Sequence, residues 1–118
     1  MRRYVQEENV VNTSASLEDK EGYAVDFSGS LISSQGTGCK GIVTEGRPQD
    51  FASVVATSGE IEAYVDGATA NISANDPLTA GGGGTAGELT KATIGTHPIR
   101  AYATEAATTH TKIKVSLV

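Results

Sequence analysis

Tryptophan is absent from this 118-residue chain, phenylalanine occurs twice, and cysteine and methionine occur once each. A lone Cys39 excludes an intrachain disulfide and any metal site built from several thiolates of one chain. It fits assembly in a reducing cytoplasm. Large apolar side chains are scarce too. Leu, Ile, Val and Phe together number 24, near the level at which chains stop folding alone. Such a chain either completes its core against partner subunits, which stabilise whatever form they bind, or fills a small interior with alanine. Clustered positive charge is also missing. The net charge is −5, and only Arg2 and Arg3 are adjacent cations. Nucleic-acid affinity comes largely from neutralised phosphates, so no nucleic-acid partner is expected. No apolar run follows the basic start, so neither a signal peptide nor a membrane span is expected.

What is present is strand grammar. The chain has one domain's length, able to bury roughly two-thirds of its unfolded surface. Residues 1–20 read as an N-terminal arm. The arm is acidic through Glu7, Glu8, Glu18 and Asp19, yet Tyr4, Val5, Val10 and Val11 are too apolar for a solvated tail. These four residues are candidate contacts with a neighbouring subunit or surface, and packing onto the same subunit is the alternative. Ser16 to Glu21 suits a single helical turn, with Ser16 as N-cap and Gly22 as stop.

Residues 21–118 read as a single β domain. Tyr23 to Phe27, Cys39 to Val43 and Phe51 to Ala56 are expected strands. Beyond a turn at Ser58-Gly59 the alternation sharpens. Ile61, Ala63 and Val65 oppose Glu60, Glu62, Tyr64 and Asp66. Ile99, Ala101 and Ala103 oppose Arg100, Tyr102 and Thr104, and Ile113, Val115 and Leu117 oppose Lys112, Lys114 and Ser116. One apolar and one wet face per strand is the pattern of antiparallel sheets around one core. The expected fold class is therefore all-β, a small antiparallel barrel or sandwich with an extended N-terminal arm.

Chemical motifs are few. Gly81 to Gly84 has the composition of a phosphate loop, but Glu88-Leu89-Thr90-Lys91 behind it reads as a strand rather than the helix such a loop needs. A hairpin tip is the expected role. His97 and His110 are read as loop residues. Cys39 with His97 has no supporting nucleophile motif, and Asp66, Asp76, Glu60 and Glu62 lack metal-loop spacing. Solvated strand faces account for these acids. No catalytic residue, cofactor or metal is assigned, and the chain is not expected to be an enzyme.

The run Gly59 to Gly67, Ala70 to Ala74, Asn75-Asp76-Pro77-Leu78-Thr79, Gly87 to Ala92, Ile99 to Ala106 and the closing Ile113 to Leu117 resembles the capsid cement (decoration) proteins of tailed bacteriophages. Asn75 stands where that family often has Gly, a mild change because Asn tolerates the left-handed region. Thr108 to Thr111 replaces a usual Gly. The resemblance implies a β-barrel or β-tulip-like domain and a homotrimer. It implies binding to the major capsid protein on the capsid exterior, bridging neighbouring copies to stabilise the shell of the virion. A surface adhesion or glycan-binding module is the competing expectation, with Tyr64 and Tyr102 as the aromatic pair. A biotinyl-type carrier is disfavoured, because Ala103 to Ala107 offers no lysine.

Overall fold

The computed structural model describes residues 16–49 and 51–118, and the backbone of 4–12. They form eight strands: β1 (Tyr4–Asn12), β2 (Ala24–Val25), β3 (Gly41–Glu45), β4 (Ala52–Asp66), β5 (Pro77–Ala80), β6 (Leu89–Lys91), β7 (Ala101–Ala103) and β8 (His110–Leu117). The chain is all-β, with no helix among the described residues. Strands β4, β6, β5, β7 and β8 pair in that order, and β8 returns to β4, closing a five-stranded barrel. Its pairings are antiparallel except β4 with β6, which run parallel at Val65 and Leu89.

Strand β4, 15 residues long, organises the molecule. Its second half, Gly59 to Asp66, pairs with Leu117 to His110 of β8. Its first half lies between β3 on one side and β1 on the other, with β2 beyond β3. Ser58-Gly59 is thus not a turn between two strands but the middle of one. Gly59 sits at φ +92°, and the register of β1 slips opposite it, between Val5 and Glu7. A residue without a Cβ in the left-handed region lets one strand bend from an open sheet into a barrel. Near the same point β8 takes over from β3 along one edge of β4, while β1 holds the other edge, since Gly59 faces both Val5 and Leu117.

The barrel core explains how so few large side chains suffice. Seven of the sixteen buried residues in the main cluster are alanines. Five strands enclose a narrow tube, and small residues fill it without forcing the walls apart. The expected alternation holds through the second half of β4 and along β8: Ile61, Ala63 and Val65 are buried against Ile113 and Val115. A second cluster of Leu17, Val25, Val43 and Val55 packs on the other face of the β2–β3–β4 sheet. That sheet is covered on both sides, which is why the neighbours Ala24 and Val25 are both buried, in different clusters.

Two local expectations change. The strand foreseen over Tyr23 to Phe27 contracts to β2, and Phe27 is 70% exposed. The Asp26 carboxylate accepts the Ser28 and Ser30 N–H groups, at 2.9 and 3.0 Å, and pulls the chain into a turn. At Leu17 to Lys20 the chain makes a β-turn rather than a helical one. Lys20 N–H donates to the Leu17 carbonyl, and Asp19 takes φ +60°. The turn places Leu17 over the second cluster.

Candidate functional site

The most concentrated chemistry lies where β4 ends and β8 begins. The alternation of β4 would put Asp66 on the wet face with Glu60 and Glu62. Its side chain is instead fully buried, because the chain folds back over it. Asp66 Oδ1 accepts the N–H groups of Ala68 (3.1 Å) and Thr69 (2.9 Å), while Oδ2 accepts Thr69 Oγ1 (2.7 Å) and Gly84 N–H (2.9 Å). An aspartate is suited to this place because its short side chain bonds the backbone two and three residues on. Burial pushes its carboxyl upward. The donors from Gly84 and Thr69, together with the charge of His110, outweigh that and hold it at about 2.

The four-glycine run is therefore not a projecting hairpin tip. Gly81 and Gly82 donate to the carbonyls of Glu88 and Ser33, and the Gly81 carbonyl accepts Thr90 Oγ1 at 2.7 Å. At Gly83 a Cβ would stand 2.6 Å from Asp66 Oδ2. The run lacks side chains because its backbone lies against a buried carboxylate. No helix follows it, as the reading of β6 as a strand required.

His110 faces Asp66 across the β4–β8 pair. It opens β8 rather than lying in a turn. Its Nε2 is 3.5 Å from Asp66 Oδ1, and its Nδ1 is 2.8 Å from Oε1 of Glu88, whose side chain is 4% exposed. The hydrogen bond to Glu88 is the main cause that raises the His110 pKa; partial desolvation opposes it, and the charges of Glu88 and Asp66 add to it. An imidazolium between two carboxylates is the consistent protonation state.

These three groups lie close enough together to be weighed as a cation site. The donor count argues against it. Both Asp66 oxygens already accept two hydrogen bonds from the protein, so a cation would have to displace the Thr69 turn or the glycine loop. As built, the cluster fastens three chain segments together.

A second feature lies on the outer barrel wall. Tyr64 stacks on Tyr23 with ring centroids 4.5 Å apart, Lys112 Nζ lies 4.8 Å from the Tyr64 centroid, and Lys20 Nζ lies 5.6 Å from that of Tyr23. Stacked rings and cation–π contacts of this kind stabilise a wet sheet face. Tyr102, 44% exposed on β7, stands apart from this column. It pairs across β8 with Ser116, four residues from the Lys112 that faces Tyr64. Strand spacing and rise place the two tyrosines roughly 16 Å apart. They do not form one platform, and both partners of Tyr64 use its ring for contacts of their own.

Of the candidate arm contacts, the backbones of Tyr4, Val5, Val10 and Val11 lie in β1, opposite Glu60, Gly59, Val54 and Ser53 of the same chain. Their side chains lie outside the described residues. Cys39 is partly buried, its thiol pushed up mainly by burial, so it is not held as a reactive thiolate. His97 Nδ1 accepts Thr93 N–H at 3.0 Å within a local turn. The Asp66–Glu88–His110 cluster itself was not foreseen. The signal for it was the short run Asp66-Gly67-Ala68-Thr69, whose Asp and Thr spacing suits a side-chain-capped turn.

With this geometry in hand, comparison with solved structures finds a fold likeness. The chain is similar to the N base of the head fiber protein gp8.5 of bacteriophage phi29, with a TM-score of 0.65 and 12% identity over 95% of this chain and 93% of that one. No family model matches the sequence, and no curated protein matches it. At this identity the likeness establishes the fold: a β-barrel with added strands, matched nearly end to end.

Proposed function

We propose that this chain is a structural protein of a phage head, a small barrel mounted on the capsid exterior that stabilises the shell by contact rather than by catalysis. The observation that carries the reading is the near-complete overlay on the base domain of a phage head fiber. The strand-and-turn resemblance to capsid cement proteins points the same way. In this reading the chain assembles as a homotrimer and bridges neighbouring major capsid proteins. Each contact need contribute only modestly, because simultaneous engagement multiplies affinity without new chemistry. The edge of β1 away from β4 has no strand partner among the described residues, which leaves backbone donors and acceptors available for a neighbour.

Two measurements test it. Purified protein is mixed with phage heads lacking it and sedimented; saturable co-sedimentation is expected. Removing residues 1–11 is expected to lower occupancy while the barrel stays folded. Solution mass is expected at about three times the 12.1 kDa chain. Protein that stays in the supernatant at every concentration sinks the head-binding reading, and a strictly monomeric mass, on heads as well as free, sinks the trimer.

A further inference from the structure

A cavity of about 90 Å³ opens beside the first half of β4, walled by Ile42, Ala56, Leu89 and Leu117 and flanked by Lys40 and Arg100. Its two cations have no carboxylate partner among the described residues. Arg100 Nη2 donates to the Thr37 carbonyl at 3.3 Å, and its Nε is sealed from solvent with no acceptor. Lys40 Nζ lies 5.7 Å from the centroid of the Phe27 ring. Asp26 acts on the same corner through Cys39, but its carboxylate is taken up by Ser28 and Ser30. In a chain of net charge −5, an under-bonded guanidinium and an ammonium set over the Phe27 ring meet at one cavity, whose lining also includes Val118 at the end of the chain.

We propose that this cavity is a socket for a glutamate-sized acidic side chain presented by a partner protein. The cavity has room for several waters, or for the few heavy atoms of a short apolar stem ending in a carboxylate. The apolar wall suits the stem. The guanidinium suits the carboxylate, since a planar fork matches it with charge-assisted hydrogen bonds. A protein rather than a free acid is favoured by the surroundings. Phe27 and Val118 are each 70% exposed at this corner, an apolar rim that a polypeptide covers and a small acid leaves wet. Only the identity of the chain that supplies the carboxylate rests on the head-association reading.

The experiment is a nitrogen-15 NMR titration of the full chain with a capped pentapeptide carrying a central glutamate between leucine and alanine. Its glutamine counterpart and sodium butyrate are titrated in parallel. Saturable shifts at Cys39 to Ile42 and Arg100 are expected with the glutamate peptide, and tenfold weaker binding or none with the glutamine peptide. Arg100→Gln is expected to weaken binding roughly tenfold. Lys40→Gln, at a half-buried position whose ammonium makes no hydrogen bond to a described residue, weakens it less and serves should the first variant unfold. Equal shifts with the glutamine peptide, or no shifts with either, overturn the socket. Butyrate binding as tightly as the peptide overturns the protein-partner assignment. Peptide binding combined with no co-sedimentation on heads leaves the socket standing and removes the head reading.

Discussion

Replacing Asp66 by alanine is expected to be the most damaging single change at a polar position. The wild-type carboxylate has no solvent exposure and accepts four hydrogen bonds, from Ala68, twice from Thr69, and from Gly84. Its pKa falls from 3.8 to about 2 in the folded chain. At about 1.36 kcal/mol per unit that drop corresponds to roughly 2.4 kcal/mol at most. Ala68, Thr69 and Gly84 are exposed, so solvent screening reduces the figure to about 1–2 kcal/mol. Removing the side chain also leaves its donors to water and His110 with one carboxylate fewer. A total loss of about 3 kcal/mol is expected at pH 7, equivalent to a Tm lower by roughly 10–15 °C in a chain of this size.

The pH dependence gives a sharper check. A depressed carboxyl contributes stability that is fully present above the unfolded pKa near 3.8 and is lost as pH falls through about 2. Urea unfolding of wild type and Asp66→Ala at a series of pH values should show a gap constant from pH 7 down to about 5 that narrows steadily toward pH 2. A gap below about 0.5 kcal/mol at pH 7, or one that does not narrow in acid, would falsify the claim that a charged Asp66 secures this end of the barrel.

Other outcomes follow from the same contacts. His110 has a raised pKa, so its contribution is complete below pH 6.5 and is lost as pH rises through the folded value. An NMR titration of its ring should give a midpoint above 6.5, returning toward 6.5 in Glu88→Gln; a midpoint unmoved by that change removes the Glu88 assignment. Gly83→Ala should destabilise by about 1–3 kcal/mol, since its Cβ would stand 2.6 Å from Asp66 Oδ2, whereas Gly84→Ala, with its nearest neighbour at 3.6 Å, should be within about 1 kcal/mol of wild type. Equal thermal shifts for the pair would show that the loop does not lie where described. Tyr64→Ala removes the Tyr23 stack and the Lys112 contact and should cost about 1.5–3 kcal/mol by chemical denaturation. A neutral result would mean the column adds nothing to the barrel wall.

Alternation and turn residues determined much of this protein on their own. The all-β class follows from the period-2 runs at Ile61 to Val65 and Ile113 to Leu117, because a half-buried strand must place every second residue inside. The shortage of large apolar side chains correctly raised the alternative of an alanine-filled interior. Sequence also placed a strand behind the four glycines, which excluded a phosphate loop.

Tertiary structure alone decided the rest. Whether Ser58-Gly59 turns or bends depends on what pairs along both edges of β4, and those partners, β1 and β8, come from opposite ends of the chain. The burial of Asp66 depends on Gly84 and His110, residues 18 and 44 positions away, arriving over the end of its strand. The same applies to the corner of Lys40 and Arg100, neither of which has a local pattern to mark it. Local sequence records which face of a strand is dry. It carries no record of which distant backbone will lie across that face, because such pairing is settled by packing of the whole chain at once.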